Sequence, residues 1–247
     1  MQNEKVYQKY LFPVMLQIIL VCLVVFFLQK NDIVCGYDSY LGMALIVVAG
    51  ISSAMWGCIY QVKCCGKKLF EIFVDFFSVK ASLKSYCLVA VFLFLDFSSV
   101  MVGGILLAQK PHILILLFAK AIVFGGIEEI GWRYTFQPVL EKRWPYGIAA
   151  LITFICWGIW HFLFFYVDGS ITTVEVIPFA IGLLTNCFIL SAIFRFSNSL
   201  WLCVMTHALI NALSQVTIGG NLFTDVFAKM LIIIVSILLS SRERNNA

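Results

Sequence analysis

The sequence predicts an all-α, polytopic membrane helix bundle of about eight transmembrane helices, four of which form a polar-lined core. Three observations predict it. The 247 residues are 62% hydrophobic and 12% charged, against about 25% charged in an ordinary soluble domain, and mean hydropathy is +0.99. The apolar residues fall into runs near the ~20 residues that carry a helix across a bilayer. Lysine and arginine gather in alternate loops, as the positive-inside rule requires of a polytopic chain.

The elements follow in order. Leu11–Leu28, after Lys5 and Lys9, exceeds a signal-peptide core and lacks a small-x-small cleavage site, so it reads as a retained anchor. Leu41–Gln61 is the second crossing. KKLFEIFVDFFSVKASLK then mixes phenylalanines with lysines and acids, and reads as an amphipathic helix in the cytoplasmic interface, or else as an extension of a spanning helix. Cys87–Ala108 and Ile113–Gly131 follow. Trp144-Pro145 turns the chain into Tyr146–Tyr166, and Pro138 must kink the arm before that turn. Val174–Phe194, the short Leu200–Leu213 and Leu222–Ser240 complete the set. Lys63, Lys67, Lys68, Lys80, Lys84, Lys142, Arg143, Arg195, Arg242 and Arg244 fall on the side of the N-terminus, with only Lys30 and Lys110 opposite. Both termini are therefore expected in the cytoplasm. One integral domain is expected: N-terminal helices with the interfacial loop (1–108), the core (109–214), and the last helix with its tail (215–247).

Composition excludes some roles. A net charge of +4 comes from lysines flanking apolar runs, not from a basic stripe, so no nucleic-acid partner is expected. The nine cysteines show no CxxC, and the adjacent Cys64-Cys65 suits neither a disulfide nor zinc. They read as small apolar filler.

Charge inside the apolar runs is costly, roughly 2.5–3.5 kcal/mol at a helix centre. Glu128 and Glu129 close one such run, and Arg133 follows. Glu129 and Arg133 share a helix face and can pair, which leaves Glu128, about 100° away, for proton transfer. The structural alternative is an ion cluster at a helix end. His161 lies as far past the Trp144-Pro145 turn as Glu128 lies before it. At ~1.5 Å per residue the two reach a similar depth, a carboxylate and an imidazole placed to activate water. A histidine packed among aromatic rings is the structural alternative. His207 and Asn211, four apart, face one way as donors suited to an oxyanion, or as an interhelical hydrogen-bonding pair. Gly125-Gly126 suits close helix packing. Asp225 and Lys229 can pair locally, Asp96 can pair with Lys120, and Lys120 can instead face a cavity.

GGIEEIGWRYTFQPVLEKR, then WGIWH, then HALIN, resembles the CAAX-processing and bacteriocin-processing family of intramembrane endopeptidases (CPBP, or Abi, proteins, similar to CAAX prenyl protease 2) over about residues 112–214. The family pattern is EExxxR, FxxxH, and a histidine followed four residues on by Asn or Asp. Here Trp157 replaces the phenylalanine, and Tyr134 replaces a glycine common after the arginine. The resemblance implies a catalytic four-helix core. It implies that Glu128 activates a water with help from His161, that His207 and Asn211 stabilise the oxyanion, and that Glu129 and Arg133 hold the site. No cofactor is favoured, since HExxH is absent and asparagine is a poor zinc ligand; Glu128, His161 and His207 remain the zinc alternative.

The expected activity is hydrolysis of a peptide bond in a lipidated or membrane-associated protein or peptide, in a bacterial plasma membrane. The rival reading is a non-catalytic immunity or partner-binding membrane protein. A transporter is disfavoured because the halves show no paired, interrupted helices.

Overall fold

The computed structural model describes residues 5–107 and 110–244. α1 (Tyr7–Lys30) is apolar on every face, so neighbours decide what it buries. Val14, Ile18, Val21 and Val25 form the buried stripe at helical spacing, while Phe12, Leu20 and Phe27 remain exposed, as a lipid-facing surface does. α2 (Tyr40–Gly50) starts at Ser39, whose Oγ accepts from the Gly42 N–H at 2.9 Å. α3 (Ser52–Cys65) continues it past Ile51 and stops at Gly66, at φ 73°, where glycine carries no Cβ penalty.

That stop makes α4 (Leu69–Phe77) a separate amphipathic helix and not an extension of the crossing. Ile72 and Phe76 are buried; Leu69, Phe70, Phe73, Val74 and Phe77 are exposed. Lys67 holds Asp75 at 3.0 Å, and Tyr134 hydrogen-bonds both. Burial opposes the Lys67 charge, but the bonds to Tyr134 and Asp75 outweigh it and raise its pKa.

α5 (Leu83–Asp96) and α6 (Ser98–Gly103) form the third expected crossing, broken at Phe97. The expected helix continued to Ala108, which lies outside the described residues. It ends earlier, at Gly103-Gly104, because glycine is a poor helix former. Gly104–Leu106 becomes β1, antiparallel to β2 (Thr217–Gly219) with Ile105 opposite Ile218.

The fourth crossing also departs from an unbroken Ile113–Gly131 helix. α7 (Pro111–Phe124) stops at Gly125. A 3₁₀ turn (Gly126–Glu128), one α turn (Glu129–Gly131), a π turn (Trp132–Phe136) and a short helix (Gln137–Glu141) follow. Pro138 has no N–H for the Tyr134 carbonyl four residues back, and Gln61 Nε2 donates to that carbonyl instead, at 2.8 Å. Thr135 Oγ1 donates to Ile130 O at 2.8 Å and Ser53 Oγ to Glu128 O at 3.3 Å. Each side chain takes up a carbonyl that the interrupted helix leaves free.

α8 (Tyr146–Asp168), α9 (Val176–Ser197), α10 (Leu200–Ser214) and α11 (Leu222–Arg244) complete the bundle. Among the described residues, five stretches are long and apolar enough to cross a membrane unbroken: Tyr7–Lys30, Tyr40–Cys65, Tyr146–Asp168, Val176–Ser197 and Leu222–Ser241. The other three expected crossings are broken or short. α9 packs against α8, α10 and α11, while α7 packs chiefly on α10. Asp225 pairs with Lys229, and Asp96 sits near that pair and not with Lys120. One end of the bundle carries loops 66–68, 142–145 and 198–199; the other carries 31–39, 169–175 and 215–221.

α3 crosses segment 129–131 where two glycines meet. A Cβ on Gly131 would lie 2.1 Å from Ser53 Oγ and 2.4 Å from the Tyr10 hydroxyl. Gly131→Ala should therefore cost about 1–3 kcal/mol and lower the thermal midpoint in detergent by several degrees. Gly182→Ala, where the added methyl meets nothing within 4 Å, should leave it unchanged.

Candidate active site

The break after α7 places the two carboxylates back to back. Glu129 is fully buried and points towards α10. Its Oε1 accepts from Arg133 Nη1 at 3.3 Å and faces His207 Nδ1 at 2.7 Å. With Nδ1–H donating to Glu129, the Nε2 of His207 is turned to the opposite side. There it stands beside Asn211: a Cβ built on Gly125 would lie 3.2 Å from His207 Nε2 and 2.5 Å from Asn211 Nδ2. A Cβ on Gly126 would lie 2.8 Å from Val204 Cγ1. The glycine pair is what lets α10 approach the carboxylates.

Glu128 turns towards α8. Its Oε2 accepts the indole N–H of Trp157 at 2.7 Å, and His161 Nε2 lies 3.9 Å from the same oxygen. That second distance is too long for a hydrogen bond and short enough for a water to bond both groups. Oε1 has no protein donor among the described residues.

Trp157 is the centre that sequence reasoning missed. Beyond its bond to Glu128, the Arg133 guanidinium lies over its ring, 4.0 Å from the centroid. His161 and His207 pack against the same indole at 5.2 and 5.5 Å. A phenylalanine here would supply the ring without the donor; the tryptophan in WGIWH was the available signal. Ser53, Gln61 and Tyr10, from the first half of the chain, were also missed, since no motif marks them.

The site opens into a cavity of about 520 Å³ whose lining includes Glu128, His161, His207 and Asn211. In each helix the lining residues fall in the half nearer loops 31–39, 169–175 and 215–221, and Tyr37 of the first loop closes the far end. The lining is mostly aromatic and aliphatic, which suits an apolar peptide or lipid-modified segment.

Among the described residues no three of His, Cys, Asp and Glu converge as a metal-holding group. Of the zinc alternative Glu128, His161 and His207, the last gives its Nδ1 to Glu129 and keeps Nε2 for a ligand.

Trp157→Phe keeps the aromatic packing and removes one hydrogen bond to a carboxylate, worth about 1.5–3 kcal/mol. Peptide hydrolysis by this variant should fall at least tenfold while its thermal midpoint in detergent stays within a few degrees of wild type. Unchanged hydrolysis would remove Trp157 from the site's working parts.

No curated protein matches the chain. Residues 110–213 match the family described as Type II CAAX prenyl endopeptidase Rce1-like. That segment contains Glu128, Glu129, Arg133, His161, His207 and Asn211, and in it the chain is similar to that family.

Proposed function

We propose that the chain is an intramembrane endopeptidase of the glutamate type, hydrolysing a peptide bond of a lipidated or membrane-associated protein or peptide. The observation that carries this reading is the division of labour between adjacent carboxylates: Glu129 is bound by Arg133 and His207 away from the cavity, while Glu128 lines the cavity with its Oε2 3.9 Å from His161 Nε2.

In the proposed reaction a water between Glu128 and His161 gives its proton to Glu128 as its oxygen attacks the carbonyl carbon. His207 Nε2, protonated with Glu129 supporting the charge, and Asn211 Nδ2 donate to the oxyanion. Collapse of the tetrahedral intermediate breaks the C–N bond, and Glu128 passes its proton to the departing nitrogen. The products are one carboxylic acid and one amine. Glu129 and Arg133 position His207 and do not touch the substrate. No step uses a metal ion.

The lysines and arginines favour cytoplasmic termini. With that orientation the cavity faces the outer half of the bilayer, and the substrate enters from that side.

Glu128→Gln and His161→Ala should each reduce cleavage by purified protein in nanodiscs at least a hundredfold, with thermal midpoints unchanged and with wild-type activity insensitive to a strong chelator. Right-side-out vesicles should cleave a membrane-impermeant peptide that inverted vesicles leave intact. Near-wild-type activity in either variant overturns the mechanism; cleavage by inverted vesicles alone overturns the orientation.

A further inference from the structure

Among the described residues the buried apolar side chains fall into a large core and a small separate one. The small core joins Ile72 and Phe76 of α4 to Ile130 and Tyr134 of the broken fourth crossing, and to Leu200 and Val204 of α10. Ile130 follows Glu129, and Val204 meets Gly126 one turn before His207. The inner face of α4 therefore packs on both elements that hold the Glu129–His207 contact.

Polar contacts add to this packing. The Tyr134 hydroxyl bonds Lys67 and Asp75, and Lys67 Nζ lies 4.5 Å from the Tyr134 ring centroid. Tyr134 directly follows Arg133, which holds Glu129 at 3.3 Å. One clasp thus lies between α4 and the buried ion pair.

α4 cannot keep this position unaided. It has nine residues, fewer than the ~12–15 at which an isolated helix becomes even marginally stable, and it buries only Ile72 and Phe76. Its outer face needs a partner too. Phe70, Phe73 and Phe77 fall at i, i+3 and i+7, one stripe along the helix, and are 72%, 60% and 50% exposed.

The charges beside the stripe identify that partner. The acids of α4 are engaged: Glu71 accepts the Lys68 backbone N–H at 2.7 Å, and Asp75 pairs with Lys67. Lys68, Lys80 and Lys84 are exposed, and among the described residues none of the three has an ion-pair partner. Short loops, 66–68 and 78–82, tether α4 to membrane helices at both ends, so lipid is always within its reach. Aromatic rings edged by unpaired ammonium groups are complementary to anionic headgroups, the rings entering at headgroup depth and the lysines meeting phosphate.

We propose that α4 docks on anionic lipid at the lysine-rich face of the bilayer, through Phe70, Phe73 and Phe77 and through Lys68, Lys80 and Lys84, and that this contact holds segment 129–136 in place through Tyr134. Tyr134 is then a positioning residue, acting on Glu129 and Arg133 without touching substrate. The effect on cleavage rests on the peptidase reading; the docking does not.

The test is amide hydrogen exchange of the full chain in phosphatidylcholine nanodiscs with and without phosphatidylglycerol. Segments 69–77 and 129–136 should both exchange at least tenfold more slowly with the anionic lipid, while 146–168 changes little. Lys68→Gln, Lys80→Gln and Lys84→Gln combined should remove the difference in both segments. Tyr134→Phe should keep it in 69–77 and lose it in 129–136, with a thermal midpoint within a few degrees of wild type. Wild-type cleavage should be at least fivefold faster in the anionic discs, and Tyr134→Phe should lose that dependence. No lipid effect on 69–77, an equal slowing of every helix, or an effect that survives the triple replacement overturns the docking. Protection of 129–136 that survives Tyr134→Phe, or equal cleavage in the two lipids, overturns the coupling to the site. If the exchange pattern holds and neither lipid supports cleavage, the peptidase reading falls and the docking stands.

Discussion

The fully buried Glu129 carboxylate, held between Arg133 and His207, is the interaction on which the site depends. Arg133 is also fully buried. Removing one member of such a cluster leaves an uncompensated charge, typically at a cost of 3–5 kcal/mol. The cluster ties the irregular segment after α7 to α10 and fixes which way the His207 ring faces. It engages Glu129 Oε1 from two sides, while the neighbouring Glu128 lines the cavity. Trp157 joins the two halves of this arrangement, stacking on Arg133 while donating to Glu128.

A regular helix could not present both carboxylates this way. The Gly125-Gly126 break and the π turn over Trp132–Phe136 re-aim successive side chains, at the cost of carbonyls without ladder partners. The first half of the chain supplies those partners. Gln61 serves Tyr134, Ser53 serves Glu128, and Trp160 Nε1 donates to Ser52 Oγ at 2.9 Å. α3 is thus a support for the site and not merely an additional crossing. Tyr134 extends that support to α4 through Lys67 and Asp75.

The helical, membrane-embedded character of the chain was legible because hydropathy runs and alternating charge report directly on lipid contact. The Glu129–Arg133 pair was legible because i, i+4 spacing on one turn is local geometry. The breaks were harder to see. Gly103-Gly104 and Gly125-Gly126 were visible as residues, yet whether a glycine pair packs a helix or ends it depends on neighbours hundreds of atoms away. The level placement of Glu128 and His161 followed from counting residues around one hairpin, and the structure sets them 3.9 Å apart. The link from His207 to Glu129 was not legible, since nothing local selects that carboxylate over its neighbour. Nor were Ser53 and Gln61: an isolated serine or glutamine in an apolar run carries no period or motif, and its role exists only once a carbonyl elsewhere loses its partner.

The central claim is that Glu128, His161, His207 and Asn211 surround one reacting carbonyl. An experimental structure of the protein in nanodiscs, bound to a peptide whose scissile amide is replaced by a hydroxyethylene unit, tests it most directly. The account places the inhibitor hydroxyl within hydrogen-bonding distance of Glu128 and directed at His207 Nε2 and Asn211 Nδ2. A peptide seated in the cavity with that hydroxyl remote from Glu128, or bound outside the cavity altogether, would contradict it.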